Sequence, residues 1–423
     1  MESPALGRLQ VLSRHLQPTC SAGDSAAYER KASPLEDVVI VASLRTPLTK
    51  AKRGGLRDTD AVDLLATVFK GVLAQTKIDP ADIGDIVVGS VLGPSSQRAN
   101  EARIASFFAG IPESVPCRTV NRQCSSGLQA IADVAAAIRA GFYSVGLAAG
   151  VETMSKNPMA WEGGINPRID EFPTAQGCLM PMGVTSENVA AKYNITRKTQ
   201  DAFAVRSHAR AAAARDAGKF KDEIVPVHTK TIDPKTGVET PVVVTEDDGM
   251  RADTSMESLG KLKTIFKKDG STTAGNASQM SDGAGAIMLA SEQALKDYNL
   301  TPIGRFIGFS VAGVPPEVMG IGPKEAIPKA LKQSGITQDQ LEWIELNEAF
   351  AAQALAVMGD LGLDPTKVNP LGGAIALGHP LGATGAIRIA TLLHGMRRRK
   401  QKYGMVSMCI GTGMGAAGIF EAL

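Results

Sequence analysis

The sequence predicts an α/β fold built twice on one plan around buried sheets, with an inserted segment between the two copies. Three observations carry this. Short β-branched runs alternate with Ala-rich helical stretches, a Gly/Ser-rich turn opens a helix in each half, and a charged, turn-rich region separates the halves. At 423 residues the chain has apolar material for more than one core. Apolar residues make up 44% and charged residues 21%, and Lys+Arg 45 against Asp+Glu 43 leaves a net charge of +2. That balance argues against a nucleic-acid binder driven by bulk charge and against an acidic disordered tail. Glycine is the outlier at 44 residues, so much backbone must turn tightly or approach something closely. The five cysteines (Cys20, Cys117, Cys124, Cys178, Cys409) contain no C-x-x-C pair, which disfavours a zinc site or disulfide framework and suits a reducing compartment. No apolar run nears the ~18 residues of a membrane span and no secretory signal pattern is present, so the expectation is a soluble intracellular protein.

Residues 1–36 lack periodic apolar patterning and read as a leader or linker. Within them, Arg8, Leu9, Leu12, His15 and Leu16 would share one face if helical, because residues seven apart nearly eclipse. The Arg-Leu, five residues, His-Leu spacing resembles an N-terminal peroxisomal targeting signal, and Cys20-Ser21 resembles the point where such leaders are removed. A mitochondrial presequence is the rival reading, weakened by Glu2 and Asp24. From Val38 the first half, 37–153 with a return at 281–301, gives strands at Val38–Val41, Ile86–Val88 and Val145–Ala149. Helices are expected at Ala61–Ala74 and Leu128–Ala140. The second half, 302–423, gives strands at Trp343–Leu346 and Gly404–Met408 and helices near Ala349–Leu361 and Ala383–Met396. The stretch 154–280 reads as an insertion. Lys192 to Lys268 holds 15 Lys and Arg against 11 Asp and Glu, a local +4 that would draw a phosphate-bearing ligand.

Four residues stand where chemistry is usually built. Cys124, in Asn121-Arg122-Gln123-Cys124-Ser125-Ser126-Gly127, is expected at a helix N-terminus, where free N–H groups favour a thiolate. Cys409 precedes Ile410-Gly411-Thr412-Gly413 and is expected in a turn at a strand's end. Gly413-Met414-Gly415-Ala416-Ala417-Gly418 fits a dinucleotide fingerprint, but the chain ends too soon for the helix and ribose-binding acid that must follow, so the glycines suit close approach to a ligand instead. His379 alone of five histidines lies in a glycine-dense run and suits a base that keeps a cysteine as thiolate. Asn347, in Asn347-Glu348-Ala349-Phe350, follows a strand and falls at its C-terminal end.

Together and in this order, these motifs resemble the thiolase family from Val38 to Leu423. The resemblance implies a homodimer of subunits with two α/β halves in a five-layer α-β-α-β-α stack, the insertion forming a CoA-binding loop domain. It implies CoA-dependent cleavage of 3-ketoacyl-CoA to acetyl-CoA and a shortened acyl-CoA, with CoA as substrate and no permanently bound cofactor or metal. Cys124 would be the nucleophile and Cys409 the acid and base. His379, with a water on Asn347, would form one oxyanion hole, and the N–H groups of Cys124 and Gly411 the other. Met182, Ser278 and Phe350 would line the substrate tunnel. Together with the leader, the resemblance implies fatty acid β-oxidation in the peroxisomal matrix and recognition by an import receptor. Pro181 stands where acetoacetyl-specific members commonly have His, which leans towards longer chains. Alternatives are an acetyl-CoA acetyltransferase, a decarboxylating ketoacyl synthase, which the second cysteine disfavours, and a non-catalytic lipid carrier on the same fold. Cys117 has no derivable role, and Cys178 either touches the site or packs.

Overall fold

Eight buried residues in sequence, Val38–Arg45, form β1, and their β-branched run explains why the first element is a strand covered on both faces. The computed structural model describes residues 37–94, 97–159 and 163–423, so the leader readings at Arg8, Leu9, His15 and Leu16 lie outside the described residues. The first half continues through β2 (Thr49–Lys50), α1 (Ala61–Thr76), β3 (Asp85–Gly89), α2 (Gln97–Phe108), β4 (Cys117–Val120), α3 (Ser126–Arg139) and β5 (Val145–Thr153). An intervening segment carries α4 (Pro173–Gly177), α5 (Met182–Lys192), α6 (Arg197–Asp216), the hairpin β6 (Val227–Ile232) and β7 (Glu239–Val244), and α7 (Met256–Gly260). The chain then returns as β8 (Ser281–Ser291) and α8 (Glu292–Asp297). The second half runs β9 (Gly304–Gly313), α9 (Gly322–Ser334), β10 (Leu341–Leu346), α10 (Ala351–Leu361), α11 (Ala374–Leu377), α12 (Thr384–Arg399), β11 (Tyr403–Ile410) and β12 (Met414–Ala422).

The duplication is visible in the pairing. In the first half β4 and β5 flank β3 in parallel, and β8 then β1 follow antiparallel. In the second half a bridge at Val368 and strand β11 flank β10 in parallel, and β12 then β9 follow antiparallel. The two sets meet where β1 pairs β9 over Val38–Ile40 and Gly304–Phe306, giving the order β10-β11-β12-β9-β1-β8-β5-β3-β4. Alternation along each strand then divides the core into layers. Ile86 and Val88 of β3 face a cluster with Leu64, Val68 and Phe69 of α1, whereas Val87 faces a central cluster. That central cluster holds Leu128, Ile131 and Val134 of α3 and Ile387, Ile389 and Leu392 of α12. It also holds Ile287 and Leu289 from the first half and Met408, Ile410 and Phe420 from the second. A third cluster joins α9 and α10 to Leu341, Ile344, Met405 and Ile419. Helix, sheet, helices, sheet, helix is the five-layer stack the motifs implied.

The middle layer depends on two glycines at matching positions. A Cβ on Gly127 would lie 2.8 Å from Gly382 O, and one on Gly385 would lie 2.2 Å from Leu128 N, so the first turns of α3 and α12 touch backbone to backbone. The intervening segment is fastened to β1 by a buried ion cluster. Arg45 Nε donates to Glu223 Oε1 (2.7 Å) and its two Nη atoms to both oxygens of Asp247 (2.7 and 2.9 Å). Gly415, among the glycines after Cys409, has a different use from the ligand approach expected. Gly415 packs against the backbone of Gly322 at the start of α9, where a Cβ would lie 2.0 Å from Gly322 C.

Candidate active site

The turn that carries Cys124 is clamped by its own neighbours. Gln123 holds a left-handed φ of 46°, a conformation that costs a non-glycine residue on the order of 1 kcal/mol or more. Ser126 Oγ accepts from the Arg122 N–H (2.9 Å) and donates to Gln123 O (2.6 Å), and Asn121 Oδ1 accepts from the Gln123 N–H (2.9 Å). Helix α3 begins only at Ser126, so Cys124 precedes it by two residues. Burial works against the thiolate expected from the helix terminus. Burial pushes the Cys124 thiol up to about 11, and Glu152 pushes the same way, while the N–H groups of Gly411 and of Cys124 point at the sulfur and oppose the rise.

His379 is buried in the loop between α11 and α12. Gly378, at φ 112° and ψ 162°, delivers it in a backbone conformation open to glycine, and the His379 N–H donates to Gln279 O (2.9 Å). His379 Nδ1 lies 2.7 Å from Thr384 Oγ1, and Asn347 Nδ2 stands 3.4 Å from Nε2. Burial, and secondarily the Arg388 charge, hold the imidazole down to about 3, so it rests neutral. Asn347 follows β10 directly; its N–H donates to Ser407 O (2.9 Å), while its Oδ1 is buried without a hydrogen-bond partner among the described residues. Glu348 braces this corner. Its carboxylate accepts from Ser207 Oγ (2.6 Å), Asn369 Nδ2 (2.8 Å) and the Ile375 N–H (3.2 Å).

Cys409 corrects its expected placement. It lies within β11, opposite Gly415 of β12, and is 1% exposed, because the ladder continues to Ile410 before turning. Burial pushes its thiol up strongly, and the nearby Cys124 adds to that. Cys409 packs with Met319, Ala349 and Phe350, and Met182 lies against the same cluster. Cys124, His379, Met182, Ser278 and Phe350 all line one cavity of about 430 Å³, with Pro181 and Met280 in its otherwise largely apolar wall. Ala277 bridges Phe350 and the Ser278 N–H donates to Ala349 O (3.0 Å), which joins the tunnel residues to the Asn347 loop. A second buried carboxylate, Glu152, ties the loops together by accepting from the N–H groups of Val91 (3.0 Å), Leu92 (3.0 Å) and Gly382 (2.9 Å). Cys178 is half-buried with its sulfur 3.9 Å from Thr412 O, and Cys117 sits on the terminal strand β4.

The thiolase N-terminal domain model matches residues 38–293 and the thiolase C-terminal domain model matches residues 300–422. The chain belongs to the thiolase family. It is 56% identical to Arabidopsis thaliana 3-ketoacyl-CoA thiolase 2, peroxisomal, across 99% of this chain and 94% of that protein. It is 50% identical to Homo sapiens 3-ketoacyl-CoA thiolase, peroxisomal, across 98% of this chain and 99% of that one. Among solved structures, the dimeric peroxisomal thiolase of Saccharomyces cerevisiae superposes with a TM-score of 0.85 at 42% identity, covering 93% of this chain and 99% of that chain. Human mitochondrial 3-ketoacyl-CoA thiolase in complex with CoA superposes at 0.83 with 40% identity, covering 92% and 99%. In this thiolase, Thr384, Glu348 and Glu152 carry no motif-level signal beyond their nearness to His379, Asn347 and the strand ends. Their roles emerge only once distant segments meet.

Proposed function

We propose that the protein is a 3-ketoacyl-CoA thiolase of peroxisomal fatty acid β-oxidation, cleaving 3-ketoacyl-CoA with CoA to acetyl-CoA and a chain-shortened acyl-CoA. The observation that carries this is that Cys124 and His379 line one apolar-walled cavity, with Asn347 3.4 Å from His379, Cys409 packed behind the cavity-lining Met319, Ala349 and Phe350, and the N–H groups of Gly411 and Cys124 aimed at the Cys124 sulfur. A thiol held near 11 beside an imidazole held near 3 is a neutral pair at rest, so proton transfer accompanies attack rather than preceding it. His379 takes the Cys124 proton as sulfur bonds to the 3-keto carbon, and the oxyanion that forms sits between the Cys124 and Gly411 N–H groups. The oxyanion collapses, the bond between carbons 2 and 3 breaks, and acetyl-CoA leaves as an enolate. The His379 imidazolium, still carrying the proton taken from Cys124, and a water on Asn347 Oδ1 stabilise that enolate, and the Cys409 thiol protonates its carbon.

The Cys409 thiolate then takes the proton of the incoming CoA thiol. CoA sulfur attacks the thioester, Cys124 leaves as thiolate, and His379 returns its proton. An uncharged, buried Cys409 suits a group that gives a proton to a carbanion before it receives one. Met182, Ser278 and Phe350 would hold pantetheine and acyl chain, the segment 154–280 would form the CoA-binding loop domain, and 37–153, 281–301 and 302–423 would be the two halves. The homodimer reading is supported by terminal strand β4 beside α2, where Ile104, Phe107 and Phe108 are 41%, 45% and 54% exposed. The leader face of Arg8, Leu9, His15 and Leu16 would meet the peroxisomal import receptor. The test is CoA-dependent thiolysis across substrates of four to sixteen carbons. Turnover rising beyond four carbons supports the reading; turnover confined to four carbons would make it an acetyltransferase, and none would make it a carrier.

A further inference from the structure

Arg388 lies one turn into α12 with its side chain 2% exposed, among the largest fully buried side chains of the molecule. A buried guanidinium is expensive unless its five donors are engaged. Here Nη2 reaches Gly378 O at 3.5 Å, and Nη1 lies 3.8 Å from Glu345 Oε2. Neither Nη1 nor Oε2 has a hydrogen-bond partner among the described residues. Glu345 Oε1 accepts from Trp343 Nε1 (2.7 Å), and Glu345 stands two residues before Asn347 on the strand that ends at the site. The Gly378 carbonyl belongs to the peptide bond that carries His379, held at φ 112° on its other side. The guanidinium therefore connects the strand bearing Asn347 to the peptide that aims the imidazole.

We infer that Arg388 is a positioning residue for His379: from inside α12 its guanidinium bridges the Glu345 carboxylate and the Gly378 carbonyl and fixes the direction of the imidazole towards Cys124. Local charge balance supports a directed role over a packing one. Arg45 is matched by Asp247 and shares Glu223 with the hydroxyl of Thr391, one turn along α12 from Arg388, while Glu345, 3.8 Å away, is the carboxylate that faces Arg388. The positive charge of Arg388 also acts on His379, favouring the neutral ring that a base requires.

This inference rests on His379 serving as the base proposed above, so its test reads the Cys124–His379 pair directly. Full-length protein is treated with iodoacetamide and Cys124 alkylation is followed by peptide mass, beside steady-state thiolysis and circular dichroism. Arg388→Lys keeps the charge and loses the planar fork. It is expected to slow alkylation and kcat together, about 10- to 100-fold, while KM for CoA stays within about twofold and the fold is retained. Glu345→Gln keeps an acceptor for Trp343 and, at pH 8 or above where the wild-type carboxylate is ionised, removes the charge that faces the guanidinium, and is expected to slow alkylation in the same direction. Alkylation at the wild-type rate in either folded variant overturns the inference. Fast, His379-dependent alkylation in a wild-type protein that performs no thiolysis would overturn the functional reading and leave this one standing.

Discussion

Thr384 is the residue whose role the geometry defines most sharply. Its hydroxyl is the 2.7 Å partner of His379 Nδ1, the histidine is buried, and the other neighbour of that nitrogen, Asn347 Nδ2, stands farther off at 3.5 Å. A base that takes a proton on Nε2 must carry one on Nδ1, so Thr384 Oγ1 accepts from Nδ1–H and thereby selects the tautomer. Thr384→Val keeps the branched shape at the first position of α12 and removes only the acceptor. Leaving a buried donor unsatisfied costs about 1–3 kcal/mol, and if the whole cost falls on the reactive tautomer, kcat drops about 5- to 150-fold. The assay is steady-state thiolysis with thermal melting on the same samples, and Thr384→Ser, which restores an acceptor, serves as the control. A Val variant within twofold of wild-type kcat, or a Ser variant as slow as Val, would refute the argument that this hydroxyl orients the base.

His379→Asn leaves the Cys124 thiol near 11 without a base, so iodoacetamide alkylation should rise about tenfold per pH unit from pH 7 to 10; a flat profile would contradict that pKa. Gly378→Ala forces a Cβ to 2.2 Å from Ser281 Oγ at φ 112°, and should lower the melting temperature, at a cost of about 1–3 kcal/mol, and lower kcat with it. Unchanged melting would show that the turn adapts. Burial raises Glu345 from 4.5 to about 7, opposed by Arg388 and Trp343 and reinforced by Glu223 and Glu348. The folded state therefore binds the extra proton, and this residue's contribution to stability is lost as pH rises from about 4.5 to about 7. Glu345→Gln removes that slope, so the melting difference from wild type should change between pH 5 and 7 and level off above it. Buried His379 and His208 titrate in the opposite sense but cancel in this difference. A difference that stays constant with pH would count against the raised value.

Much of the architecture was legible because it is written in local pattern. The all-buried run Val38–Arg45, the helix face Leu64, Leu65, Val68, Phe69 and Val72, and the Gly/Ser turns before α3 and α12 are each fixed within a dozen residues. The four candidate side chains, Cys124, His379, Asn347 and Cys409, stood out for a different reason, since unusual residues stood together at strand ends and in glycine-rich turns. What escaped was everything that depends on a contact between distant segments. Nothing near Cys124 in the sequence reports the Glu152 carboxylate or the low polarity that raises its pKa. The strand at Cys409 runs two residues past the expected end at Met408 because β12, closed by Gly415 against Gly322, supplies partners up to Ile410. Thr384, Glu348 and Arg388 look like ordinary helix and loop residues until α12 and β10 are brought side by side.

The central claim is that Cys124 carries the acyl group. The most direct measurement mixes the protein with an eight-carbon 3-ketoacyl-CoA in the absence of free CoA and determines intact and peptide mass. The account predicts one equivalent of acetyl-CoA released and a six-carbon acyl adduct on the Cys124 peptide, absent in Cys124→Ala. An adduct on another residue, or full turnover by Cys124→Ala, would contradict it.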